Sequence, residues 1–222
     1  MDPNNPVIRL CVEGMQAEAE GRDADALALF QQAWDTATDD YEACVAAHYV
    51  ARHQPTPELT LHWNRECLRL ADLVADDRVS GFHASLHLNM GKAHQNLDEP
   101  EKAREHFVAA AEHVSAAPAG QYGDWIRFAV AEGLRATGTG TRRPADGPLP
   151  DLLAKLCARA DLRALGLILP AYLGDLGTDD DQVRLSTALR MVHASRWLPD
   201  DEQAVLSEAI STLPGTKPPA GV

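Results

Sequence analysis

An all-α fold is predicted for this 222-residue chain, on two observations. Alanine, leucine, glutamate and arginine, which favour helix, are plentiful, whereas isoleucine, phenylalanine and tyrosine, which favour strands, are scarce. In three separate stretches, small and large side chains also alternate at intervals of four and three residues, the spacing of one helical face. The length is enough for one large domain or two small ones with a true core.

The three stretches are ALALFQQAW (26–34), TLHWNRECL (60–68) and AREHFVAAA (103–111). Aligned, they place Ala26, Thr60 and Ala103 in a first column, Phe30, Asn64 and Phe107 in a second, and Ala33, Cys67 and Ala110 in a third. Twelve residues ahead of the first column stand Gly14, His48 and Gly91. A glycine there lets two helices approach closely. The copies are offset by 34 and then 43 residues, the second being one 34-residue period plus an insertion of nine around DDRVSGF.

On these residues the chain resembles the tetratricopeptide repeat (TPR) family over about residues 7–117. Gly14, Ala26, Phe30 and Ala33 match its signature in the first copy, and Gly91, Ala103, Phe107 and Ala110 match it in the third. The middle copy is degenerate, with His48 and Asn64 at signature positions, and no copy has the family's tryptophan or closing proline. The resemblance implies an α-α superhelix of TPR-like helical hairpins.

Local signals fit hairpins. Asp23 and Asp98 fall in the turns GRDAD and NLDEPEK, Pro100 suits a first helical turn, and in HQPTPEL either Thr56 or Pro57 can begin the next helix. QYGDWIRFAVAEGLRA (121–136) reads as one helix capping the stack. Together these make a repeat domain over 1–137, followed by a linker over 138–150.

Behind the linker a small C-terminal helical unit, 151–213, carries no repeat signature. Its four helices are expected at Leu149–Ala160, Leu162–Leu176, Asp179–Trp197 and Asp200–Leu213. Asp161 and Thr178 are candidate N-caps, Gly177 is a stop, and Pro170 should kink or split the second helix. A core of about 65 residues is small, so this unit is expected to pack on the repeats, on a second copy of itself as a homo-oligomer, or on a partner. The tail, 214–222, is expected to be disordered.

The net charge of −13 is concentrated in residues 1–137, which hold 22 acidic and 11 basic side chains. Such a surface repels phosphate backbones and anionic lipid, so neither nucleic acid nor membrane is an expected partner. Cys11, Cys44, Cys67 and Cys157 show no CxxC spacing and read as reduced core residues. With no basic start and apolar run at the N-terminus and no span of about 20 apolar residues, a cytoplasmic location is expected.

No catalytic set emerges. His83, His87, Met90 and His94 share one helical face, and imidazoles so placed can bind zinc or copper, yet no HExxH or nearby carboxylate pattern completes a site. Ser80 and Ser85 lack a nucleophile elbow, and Gly138 and Gly140 follow no strand and precede no P-loop lysine. No cofactor is expected.

What the resemblance implies is a scaffold or adaptor that binds a peptide or helix of a partner protein on the concave wall made by the first helix of each repeat. Carried over, the wall comprises Ile8, Cys11, Met15 and Glu18, then Glu42, Val45, Tyr49, Arg52 and His53, then Ser85, Leu88, Asn89, Lys92, Gln95 and Asn96. Of the positions with which some relatives clamp a chaperone's C-terminal carboxylate, here Cys11, Met15, Ala46, Ser85 and Asn89, only Asn89 fits, so no such clamp is expected. The rival readings are a metal-dependent hydrolase using His83, His87 and His94, and a regulator that senses a peptide.

Overall fold

Side-chain caps and prolines set where most helices of this computed structural model begin, and the structure describes residues 4–140 and 146–213. Among the described residues there is no strand. Asn5 accepts from the amides of Val7 and Ile8 to start α1 (Pro6–Ala19). Helix α2 is Asp23–Thr36, and Asp39 caps α3 (Asp40–Val50), which runs on into a 3-10 turn, Ala51–His53. Thr56 caps α4 (Pro57–Val74), with Pro57 in the first turn, where its missing N–H costs nothing. Within the nine-residue insertion lies one short helix, α5 (Asp77–Ser80). Then come α6 (His83–Asn96), α7 (Pro100–His113) and α8 (Gln121–Ala136). The last four helices are α9 (Pro148–Ala158), α10 (Leu162–Leu173), α11 (Asp179–Ser195) and α12 (Asp200–Thr212).

The chain divides into two units, residues 1–126 and 127–222, and the division falls inside α8. In the first unit α1 packs on α2, α3 on α4, and α6 on α7, while α2 touches α3 and α4 touches α6. The outer hairpins close through the same turn. Gly21 (φ +75°) and Asp98 (φ +61°) both take the left-handed conformation. In each case the next residue's amide reaches back to a helix carbonyl, Arg22 to Ala17 and Glu99 to His94.

Their interiors also match. A Cβ built on Gly14 would lie 2.3 Å from Phe30 Cε1, and one on Gly91 2.7 Å from Phe107 Cε1, so each ring fills the space that a side chain would need. Phe30 and Phe107 are wholly buried, as are Ala26, Ala33, Ala103 and Ala110 around them. The middle hairpin exchanges the two sizes. The large ring of His48 stands where the glycines stand, and the small buried amide of Asn64 stands where the phenylalanines stand. Asn64 donates to the Thr60 carbonyl at 2.8 Å, which satisfies it locally. The His48 ring stacks on Phe82 at 4.7 Å and 8°, and its Nδ1 finds no hydrogen-bond partner. Burial, assisted by the charge of Arg52, pushes its pKa down from 6.5 to about 4.

In the second unit, α9 packs on α10, α10 on α11, α11 on α12, and α12 returns to α9. The resulting core is built on Leu152, Leu156, Ile168, Leu189, Val192 and Leu206. Thr178 and Asp181 form the capping box of α11. Burial alone would raise the Asp181 carboxyl, but hydrogen bonds from Thr178 and Leu176, and from the Arg127 guanidinium, hold it below the usual range.

Two expectations are corrected, for α10 and for Cys157. Helix α10 runs unbroken through Pro170 and ends at Leu173 rather than Leu176. Gly166, whose carbonyl receives no bond from Pro170, and Pro170 itself are both exposed, so water can take the bond that proline cannot donate. Cys157 is exposed, unlike the buried Cys11, Cys44 and Cys67, because it sits one residue past Leu156 and has turned away from the core. The expected tail, 214–222, and the middle of the expected linker lie outside the described residues.

Two measurements check this packing. Gly14→Ala should cost about 1–3 kcal/mol in urea unfolding through overpacking, whereas Gly166→Ala, with nothing within 4 Å of its new Cβ, should stabilise by about 0.5–1 kcal/mol; shifts of the same sign would refute the account. His48 is neutral in the fold and takes up a proton on unfolding below its ordinary pKa of 6.5. Stability is therefore full above pH 6.5 and declines as the pH falls from there through about 4, by about 3 kcal/mol in all. His48→Leu should flatten that part of the stability curve, and an unaltered slope would assign it to other groups.

Candidate functional site

Two cavities are lined by residues of the first helices of the three hairpins. The first, about 440 Å³, is apolar and lies between α1 and α3. Its walls are Ile8, Cys11, Val12, Met15, Val45 and Tyr49, with Arg9 and Glu13 also lining it. The second, about 410 Å³, is polar. It is lined by Glu18 of α1, by Arg52 and the connection Gln54–Pro57, and by Asn89, Lys92 and Asn96 of α6.

The cavities are neighbours because helical spacing makes them so. Glu18 is one turn beyond Met15, and Arg52 one turn beyond Tyr49. The Arg52 guanidinium lies 5.8 Å from the centre of the Tyr49 ring and bonds Glu18 at 2.7 Å. His53 Nε2 meets the same carboxylate oxygen at 3.1 Å. Tyr49 and His53 also stack on Phe30, at 5.2 and 5.9 Å, so this side of the cavities rests on the core of the first hairpin. Burial raises the Tyr49 hydroxyl pKa and keeps it a neutral donor. On the α6 side, Lys92 Nζ lies 5.1 Å from the ring centre of Trp125, which stacks on Tyr122; both aromatic residues are about half exposed. Trp, Tyr and Arg are the residue types that dominate binding energy at protein interfaces.

Of the residues expected on this wall, the structure brings Met15, Glu18, Val45, Tyr49, Arg52, Asn89, Lys92 and Asn96 to the two cavities, and His53 beside them. Gln95 is exposed on α6 but lines neither cavity. Glu42, Ser85 and Leu88 are buried, which corrects the expectation for them. The Glu42 carboxylate accepts from the Thr38 amide at 2.7 Å and the Asn5 side chain at 2.5 Å, tying the start of α1 to α3 and holding its pKa low. Ser85 donates to the Phe82 carbonyl, and Leu88 is wholly enclosed. Val12, the connection at 54–57 and the Tyr122–Trp125 pair were not foreseen. The prolines of HQPTPEL, which bar a regular helical turn, were the one available sign of the connection's shape.

His83, His87 and His94 do not converge. His94 is buried and bonds Glu99 at 2.6 Å, His83 pairs with the Ser80 carbonyl at 3.2 Å, and His87 faces His106 across the hairpin. Burial first, then the neighbouring imidazoles, lowers the pKa of His87 and takes that of His106 to about 4. Among the described residues no three His, Cys, Asp or Glu side chains form a metal-binding group, and no helix is long and apolar enough to cross a membrane. Comparison of the chain with protein-family models, with curated proteins and with solved structures finds no match.

Proposed function

We propose that the protein is a non-catalytic interaction scaffold of tetratricopeptide type, whose first unit holds a segment of another protein against α1, α3 and α6. The observation that carries this reading is the pairing of an apolar cavity with a polar one a single helical turn away. A peptide with one aliphatic or aromatic anchor and a polar neighbour matches that arrangement. Burying one such anchor contributes about 1.5–3 kcal/mol, so several contacts along the groove are needed for micromolar affinity. The resemblance of the Gly14–Phe30 and Gly91–Phe107 hairpins to that family's repeats supports stacking into a superhelix with this face inward. The four unpaired thiols fit a reducing compartment such as the cytoplasm.

A random peptide library selected on the full chain should enrich sequences with a fixed apolar position. Val12→Asp, at the apolar cavity, and Lys92→Glu, at the polar one, should each weaken the enriched peptides at least tenfold, while Glu105→Ala on the exposed side of α7 should not. No enrichment, or peptides indifferent to both groove variants, would refute the reading.

A further inference from the structure

The seam between α6 and α7 gathers five of the nine histidines: His83, His87 and His94 from one helix, His106 and His113 from the other. Within it two imidazole nitrogens face each other directly, His87 Nδ1 and His106 Nδ1, at 3.0 Å. We propose that His87 and His106 form a two-imidazole site for a borderline divalent transition ion, Zn²⁺ or Cu²⁺, which bridges α6 and α7 in place of the hydrogen bond they share.

The separation of the two nitrogens fits. Two nitrogens bound at about 2.0–2.1 Å stand about 3.3 Å apart on a tetrahedral ion and about 2.9 Å apart in adjacent square-planar positions. The observed 3.0 Å falls between these values. The proton balance is equally simple. One ring now donates its Nδ1–H to the other; when the ion binds, that proton moves to Nε2 of the same ring, leaving an Nδ1 lone pair on each.

Both rings are also held in place. His106 lies against the His94 ring at 5.3 Å and 8°, and His94 is itself anchored by Glu99. His87 lies parallel to His113 at 6.0 Å. Bracing of this kind keeps ligand rings oriented before the ion arrives. His87 and His106 are half-buried, so neither is sealed in the core. With two protein ligands, water completes the coordination, which makes this a labile site rather than a resident cofactor's.

The test uses the untagged full chain, stripped with EDTA and titrated with CuCl₂ or ZnCl₂ by calorimetry. One equivalent should bind with micromolar affinity, and the Cu²⁺ spectrum by electron paramagnetic resonance should carry coupling from two equatorial nitrogens. His87→Gln and His106→Gln should each weaken binding at least tenfold, and His62→Gln, on the exposed side of α4, should leave it unchanged. Uptake below about a tenth of an equivalent at 100 μM ion, a single coupled nitrogen in the unsubstituted protein, or full binding by the double variant would overturn the proposal. The nitrogen count needs no variant, so it decides the matter even if a substitution disturbs folding.

Discussion

How closely α1 approaches α2, and α6 approaches α7, governs the first unit, and that closeness comes from a glycine set against a phenylalanine in each pair. Each ring occupies the volume a Cβ would claim, so the helix axes sit nearer than ordinary side chains allow. Close pairing fixes which arc of α1 and α6 is covered and which is left to solvent. The two cavities lie on arcs left open in this way. Tyr49 and His53 press on Phe30 from the neighbouring hairpin, so the same ring that sets the spacing of one pair also props the wall of the site.

The middle hairpin reaches a similar end by the opposite route. Moving the bulk from position 64 to position 48 keeps the interior filled, but it turns a ring outward from α3 toward Phe82, at the entrance to α6. That contact gives the inserted segment, with α5, a fixed place instead of a loose loop. The exchange leaves a nitrogen without a partner in a dry position, which costs stability that apolar packing must offset.

Much of this was legible in the residues because the signals are local. The starts at Thr56, Pro100, Asp161 and Thr178, and the Gly–Phe register of the outer hairpins, depend on neighbours within a turn or on one helical face. What was not legible depends on how many sides of a helix are covered. Helix α3 touches α1, α2 and α4, so its free arc is narrow; Tyr49 falls inside that arc and Glu42 outside it. Ser85 and Leu88 are lost to the interior at the corresponding stretch of α6. The His87–His106 pairing joins residues 19 apart on different helices, and a single-helix reading of the stripe could not find it. In the second unit Pro170 is tolerated because it faces water, a fact of orientation that the residue type alone does not carry.

The unequal placement of the cysteines has a practical corollary. An alkylating reagent meets Cys157 on the surface at once, but it reaches Cys44 and Cys67, whose sulfurs lie 3.7 Å apart and donate to each other's backbone carbonyls, only when α3 and α4 part. Burial also holds the Cys11 thiol at about 12, so it stays protonated and unreactive until exposed. The chain thus carries its own stopwatch for breathing of the first unit, started by one fast label and read from three slow ones.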